Sequence, residues 1–102
     1  MKSRLELHEK LCNILGSSNV YYDPPESIKL KYPCIIYHQS SGDHVYSGNK
    51  TYLYTKSYEI TTIGKKADDD ILERIVSEFE MIRHGSTYTA DNLYHNTFTL
   101  YW

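Results

Sequence analysis

Apolar residues recur along this chain with two different periods, and each change of period marks an element boundary. Over 4–15, Leu5, Leu7, Leu11, Cys12, Ile14 and Leu15 share one half of a helical wheel, and Glu6, Glu9, Lys10 and Asn13 share the other. Ser3 and Glu6 form a capping box ahead of that run and Gly16 stops it, so the spacing predicts a helix over 4–15. Asn19-Val20-Tyr21-Tyr22 reads as a short strand closed by Asp23-Pro24-Pro25. Residues 23–32 read as a connection, because the two prolines exclude helix and inner strand. Pro33 then opens Cys34-Ile35-Ile36-Tyr37, which is apolar on both faces. That pattern fits a central strand covered on both sides, or covered by a helix on one side and a neighbour on the other.

Residues 40–51 are polar with two glycines and too long for a tight turn, which predicts a protruding hairpin arm or a mobile loop. A return strand is expected over 52–63, with Tyr52, Tyr54, Tyr58 and Ile60 on one face and Leu53, Thr55, Ser57 and Glu59 on the other. Asp68-Asp69-Asp70 opens a second helix, where the macrodipole favours carboxylates and one of them can cap. Its stripe is Ile71, Leu72, Ile75, Val76 and Phe79, and Gly85 with the segment 86–92 ends it. From His95 to Trp102 the pattern alternates strictly, placing Phe98, Leu100 and Trp102 toward the core. The order α-β-β-β-α-β implies a single α+β domain over 1–102: an antiparallel sheet of about four strands packed by two helices, with the arm at 40–51.

Composition adds a second message. Eleven of the 102 residues are tyrosine, most of them between Tyr21 and Tyr58. A chain this short cannot enclose eleven such rings and still fill its core. Tyrosine pairs an apolar ring with a polar tip, so the surplus suits surfaces that are wet alone and buried in a partner. Tyr46, on the arm, is the ring least able to find cover within its own subunit, and Tyr58 the one best placed beneath a helix. The net charge of −2, with both signs interspersed, lacks the basic stripe that phosphate neutralisation needs, and Lys65-Lys66 reads as solvated loop. Neither a signal-peptide core nor a membrane-length apolar run is present, which points to a soluble protein of a reducing compartment, with Cys12 and Cys34 as small buried thiols before a disulfide.

Candidate chemistry is sparse. His8, His38, His44, His84 and His95 lack zinc-ligand spacing, and His8 sits at the core edge of the first helix. Asp43-His44 with Asp91 and His95 would suit an acid–base pair for ester or phosphodiester cleavage if the fold brought them together. Ser40-Ser41-Gly42 lacks the flanking glycines of a nucleophile elbow, and Gly42 and Gly48 make no phosphate loop. Tyr37, Tyr52 and Tyr54 are of the type on which bases stack, but few cations surround them. No cofactor or metal is expected.

Tyr32-Pro33-Cys34-Ile35-Ile36-Tyr37, then Tyr46-Ser47-Gly48-Asn49 leading to Tyr52, Tyr54 and Tyr58, resemble the small tail-completion proteins of long-tailed phages and prophages. The ending Ala90-Asp91-Asn92-Leu93-Tyr94-His95-Asn96-Thr97-Phe98-Thr99-Leu100-Tyr101 carries the similarity furthest, and the whole spans roughly residues 18–102. Gly48 departs from the family, which often has an acidic residue before the arm's asparagine. The resemblance implies a non-enzymatic tail terminator of the virion, made in a bacterial cytoplasm. Such a protein is a homo-hexameric ring that caps the tail tube protein, joins it to the head connector and lets DNA pass without specific binding or any membrane. On that reading 42–54 is the chief contact element, with Asp43, His44, Tyr46, Asn49, Tyr52 and Tyr54 at the subunit or tail-tube interface. A head-side stopper is the alternative within the same particle, and a small nucleic-acid-binding or hydrolytic module the alternative outside it.

Overall fold

In the computed structural model the described residues are 3–40, 43–47, 50–55, 57–66 and 70–102, with 43–47 and 50–55 described as backbone alone. The chain begins with helix α1, Arg4–Leu15, as its periodicity requires. The Ser3 side chain accepts from the Glu6 amide, and Gly16 closes the helix at φ 82° with its N–H on the Cys12 carbonyl. That left-handed backbone is open to glycine at little cost. Strands β1 (Val20–Tyr22) and β2 (Cys34–Gln39) follow, then the short strands β3 (Asp43–Ser47) and β4 (Lys50–Thr55), and β5 (Ser57–Gly64). Helix α2 (Ile71–Glu78) leads to β6 (Ile82–Ala90) and β7 (Leu93–Tyr101).

Five of these strands form one sheet in the order β1-β2-β5-β7-β6, and β3 and β4 form a separate two-stranded sheet. The fold is α+β, with a sheet that is mostly antiparallel. Three features differ from the sequence expectation. First, β1 runs parallel to β2, with Val20 opposite Ile35, because the connection from Asp23 crosses the sheet before the chain returns. Second, the segment around Gly85 is strand, not a break after a longer helix: β6 pairs antiparallel with β7 through the two-residue turn Asp91-Asn92. Both turn residues have positive φ, 53° and 63°, the geometry that matches the twist of a hairpin. Third, the expected return strand 52–63 is divided. Its first part belongs to the β3–β4 ribbon and only Ser57–Gly64 joins the main sheet.

The core lies between the helices and one face of the sheet. Leu7, Leu11 and Ile14 of α1 and Ile71 and Ile75 of α2 pack with Phe79 onto Val20, Ile35, Tyr37, Tyr58, Ile60, Phe98 and Leu100. Trp102 packs at the margin, where its indole N–H donates to the Ser3 carbonyl at 2.8 Å and its ring meets Phe79 edge-on. The alternation expected for β7 therefore holds. Helix α2 begins after Asp70, whose side chain makes no capping bond and lies 3.9 Å from Arg74 in an exposed pair. The other two acids of the proposed cap, Asp68 and Asp69, lie outside the described residues.

On the opposite face, the 23–32 connection covers β2. Pro24, Ile28 and Leu30 line a cavity with Ile36 and His38, which explains why that strand is apolar on both sides. Cys34 and Cys12 are both free thiols. Burial pushes the Cys34 thiol up from 9.0 to about 11, and burial also raises the Tyr37 phenol against the opposing hydrogen bond and charge of Arg4. A raised folded pKa in a group that is neutral when protonated means the unfolded chain releases its proton first. Stability is therefore expected to be full below about pH 9 and to fall as pH rises toward about 11, as read by denaturant melts across that range. Cys34→Ala should flatten the pH dependence in that window. A thiol reagent at neutral pH should label half-buried Cys12 and spare Cys34 until the chain unfolds.

Candidate functional site

The arm grows from a defined base. At the end of β2 the Ser40 amide donates to the Ser57 carbonyl at 2.8 Å, and the two hydroxyls lie 2.5 Å apart. That clamp closes the body just below residues 43–55. Above it β3 and β4 pair antiparallel, with Asp43 opposite Thr55, His44 opposite Tyr54 and Val45 opposite Leu53. The register then shifts, so that Tyr46 faces Thr51 and Ser47 faces Lys50, leaving Tyr52 as the extra residue of a bulge. Among the described residues the ribbon has no strand partner in the main sheet. The extents of the molecule are 49 × 26 × 23 Å, and the radius of gyration is 14.7 Å. A compact chain of this size would have a radius near ~13 Å.

Five of the six sequence-predicted contact residues thus lie on one separate ribbon. Asp43, His44 and Tyr46 lie on β3, and Tyr52 and Tyr54 on β4. Asn49 lies outside the described residues. The arm also begins and ends later than 40–51, because Ser40 is tied to the body and Tyr52 and Tyr54 belong to the ribbon.

Tyrosine surplus takes a definite form in the body. Tyr37 and Tyr58 are fully buried, whereas Tyr22 and Tyr88 are 37% and 45% exposed. Tyr37 therefore offers no face for a stacked base. Its hydroxyl lies 2.7 Å from His8 Nδ1 and 3.3 Å from the Arg4 guanidinium, and the Arg4 guanidinium also sits 4.3 Å over the Tyr22 ring. His8 is a core-edge imidazole serving that hydroxyl, in agreement with its place on the helical wheel. Tyr58 packs beneath the helices, also as expected.

The acid–base constellation is not assembled. His95 pairs across β5 with Ile63, six residues along the strand from Ser57, a separation of about 20 Å from the base of the arm that carries His44. His95 stacks on Tyr88 with centroids 4.8 Å apart, and its Nδ1 is 3.1 Å from the Leu93 carbonyl. Among the described residues there is no cluster of three or more metal-ligating side chains, and no helix long and apolar enough to cross a membrane.

Sequence reasoning missed β6 and its exposed edge. The available signal was local: Thr87-Tyr88-Thr89 is rich in strand formers and runs directly into the Asp91-Asn92 turn. Gly85 is needed there for a close approach, since a Cβ at that position would lie 2.8 Å from Thr97 Oγ1. The same Thr97 oxygen accepts from the Ser86 amide at 2.8 Å, anchoring the β6 bulge. Compared with known proteins, the chain matches no family, no curated protein and no solved structure.

Proposed function

We propose that this chain is a structural virion protein, a tail terminator whose six copies form a ring that caps the finished tail tube and docks it to the head connector. The observation that carries this reading is the β3–β4 ribbon, a separate two-stranded sheet on a clamped base that carries three of the tyrosines, Tyr46, Tyr52 and Tyr54. A projecting arm suits heterologous contacts, in which one patch of each subunit meets a different patch of the next and the chain of contacts closes into a ring. Asp43, His44, Tyr46, Asn49, Tyr52 and Tyr54 make those subunit or tube contacts. The mild negative charge suits a channel through which DNA slides, since few fixed cations would hold its phosphates. The protein acts at the head-proximal end of the tail after assembly in the bacterial cytoplasm.

The test is the native mass of the purified protein, alone and after mixing with tail tubes or DNA-filled capsids. A ring-sized species, or a monomer that assembles only on tube ends, is the expected result. Binding to capsids but not tubes would move the protein to the head-side stopper. Salt-sensitive DNA binding, or cleavage that depends on His44 or His95, would replace the structural reading altogether.

A further inference from the structure

Strand β6 is the outermost strand on its side of the sheet, and its far edge has no strand partner among the described residues. It is nine residues long and exposed from Arg83 to Thr89. Natural edges are usually guarded by charge, proline or brevity. Past the bulge, Thr87-Tyr88-Thr89-Ala90 has neither charge nor proline, and three of its four residues favour strands. At the opposite side, β1 is only three residues long and runs at once into Asp23-Pro24-Pro25. The sheet therefore has one guarded edge and one open edge.

The arm has the complementary need. Thr51-Tyr52-Leu53-Tyr54-Thr55 is likewise free of charge and proline, and a two-stranded ribbon by itself is marginally stable in water. Among the described residues its own chain pairs no further strand with it. The arm leaves the body at Ser57, which pairs with Tyr101, whose amide bonds the Met81 carbonyl just before β6. Thr87–Ala90 lies at the other end of the sheet, beside the Asp91-Asn92 turn, away from the point where the ribbon joins the body.

We infer that the Thr87–Ala90 edge of one copy receives the β3–β4 arm of a second copy as added strands. The inference rests on the ring-subunit reading and specifies the surface that closes the ring. Main-chain hydrogen bonds supply the pairing, and the alternating side chains set its register. Arm and edge are different patches, so each copy gives to one neighbour and receives from the other.

The test uses full-length protein carrying Cys12→Ser, since buried Cys34 stays silent toward thiol reagents. Copies with Leu53→Cys are mixed with differently tagged copies carrying Thr89→Cys, and a short bismaleimide is added. The expected product joins both tags, and it is lost when the second cysteine is moved to β1 as Tyr21→Cys. In a separate sample Thr89→Lys, an exposed edge change, should convert the ring mass to monomer mass with an unchanged melting temperature. An intact ring that gives no Leu53–Thr89 product and tolerates Thr89→Lys would overturn the inference and leave the ring standing. A monomer under every condition, tube ends included, would overturn both.

Discussion

Replacing residues 41–56 with an Asn-Gly turn is expected to leave a folded protein that no longer assembles. Ser40 and Ser57 are already hydrogen-bonded to one another, and Gln39 and Tyr58 are register partners one step into the sheet. A two-residue turn therefore converts β2 and β5 into a direct hairpin without moving either strand. The core described above belongs to the helices, Phe79 and the five-stranded sheet, none of which the excision removes. Closing the shorter loop costs less entropy, so the melting temperature should hold or rise slightly. Native mass should fall to that of a monomer, and tails made with this variant should fail to join heads. Rings of normal mass from the armless protein would show that the ribbon is dispensable, and the proposed contact element would have to lie elsewhere.

The largest effect on stability is expected from Phe98→Ala. Phe98 is fully buried on β7, between β5 and β6, with Ile60 as its partner across the sheet and the His84 ring 5.4 Å away. Truncating a buried phenylalanine costs about 3–5 kcal/mol, the transfer term plus the cavity left behind. A domain of this size has a total stability of about 5–15 kcal/mol. At roughly 4–8 °C per kcal/mol the transition should drop by more than ~12 °C, measured by calorimetry. Leu5, which is 65% exposed on the outer side of α1, is the control: Leu5→Ala should change stability by no more than about 0.5 kcal/mol. Similar losses at both positions would contradict the assignment of the core face.

Elements that follow from neighbours in sequence were legible in the chain. Helix α1 has both of its boundaries where Ser3 and Gly16 place them, and the core face of β7 follows from strict alternation. The Tyr58 and His8 environments follow from the same local patterns. By contrast, β6 was hidden, since its residues are exposed and polar and become a strand by pairing with β7. The division of 52–63 was hidden as well. An alternating run reads the same whether its hydrogen bonds go to a hairpin partner or to a larger sheet, and only the position of the Ser40–Ser57 clamp separates the two.

From residue order alone come the places of the two helices, though not the exposure of Leu5 and Val76 on their apolar stripes, together with the apolar centre at Cys34–Tyr37, the surplus of tyrosine and the polar stretch that interrupts the sheet. These depend on interactions within a few residues or on composition. Tertiary structure alone decides that β1 lies parallel to β2, that Tyr37 is an interior hydroxyl bound to His8, and that the arm stands apart with its tyrosines while β6 presents an open edge. Strand pairing joins residues far apart in the chain, and a period of two specifies which face a side chain takes without specifying which strand lies beside it.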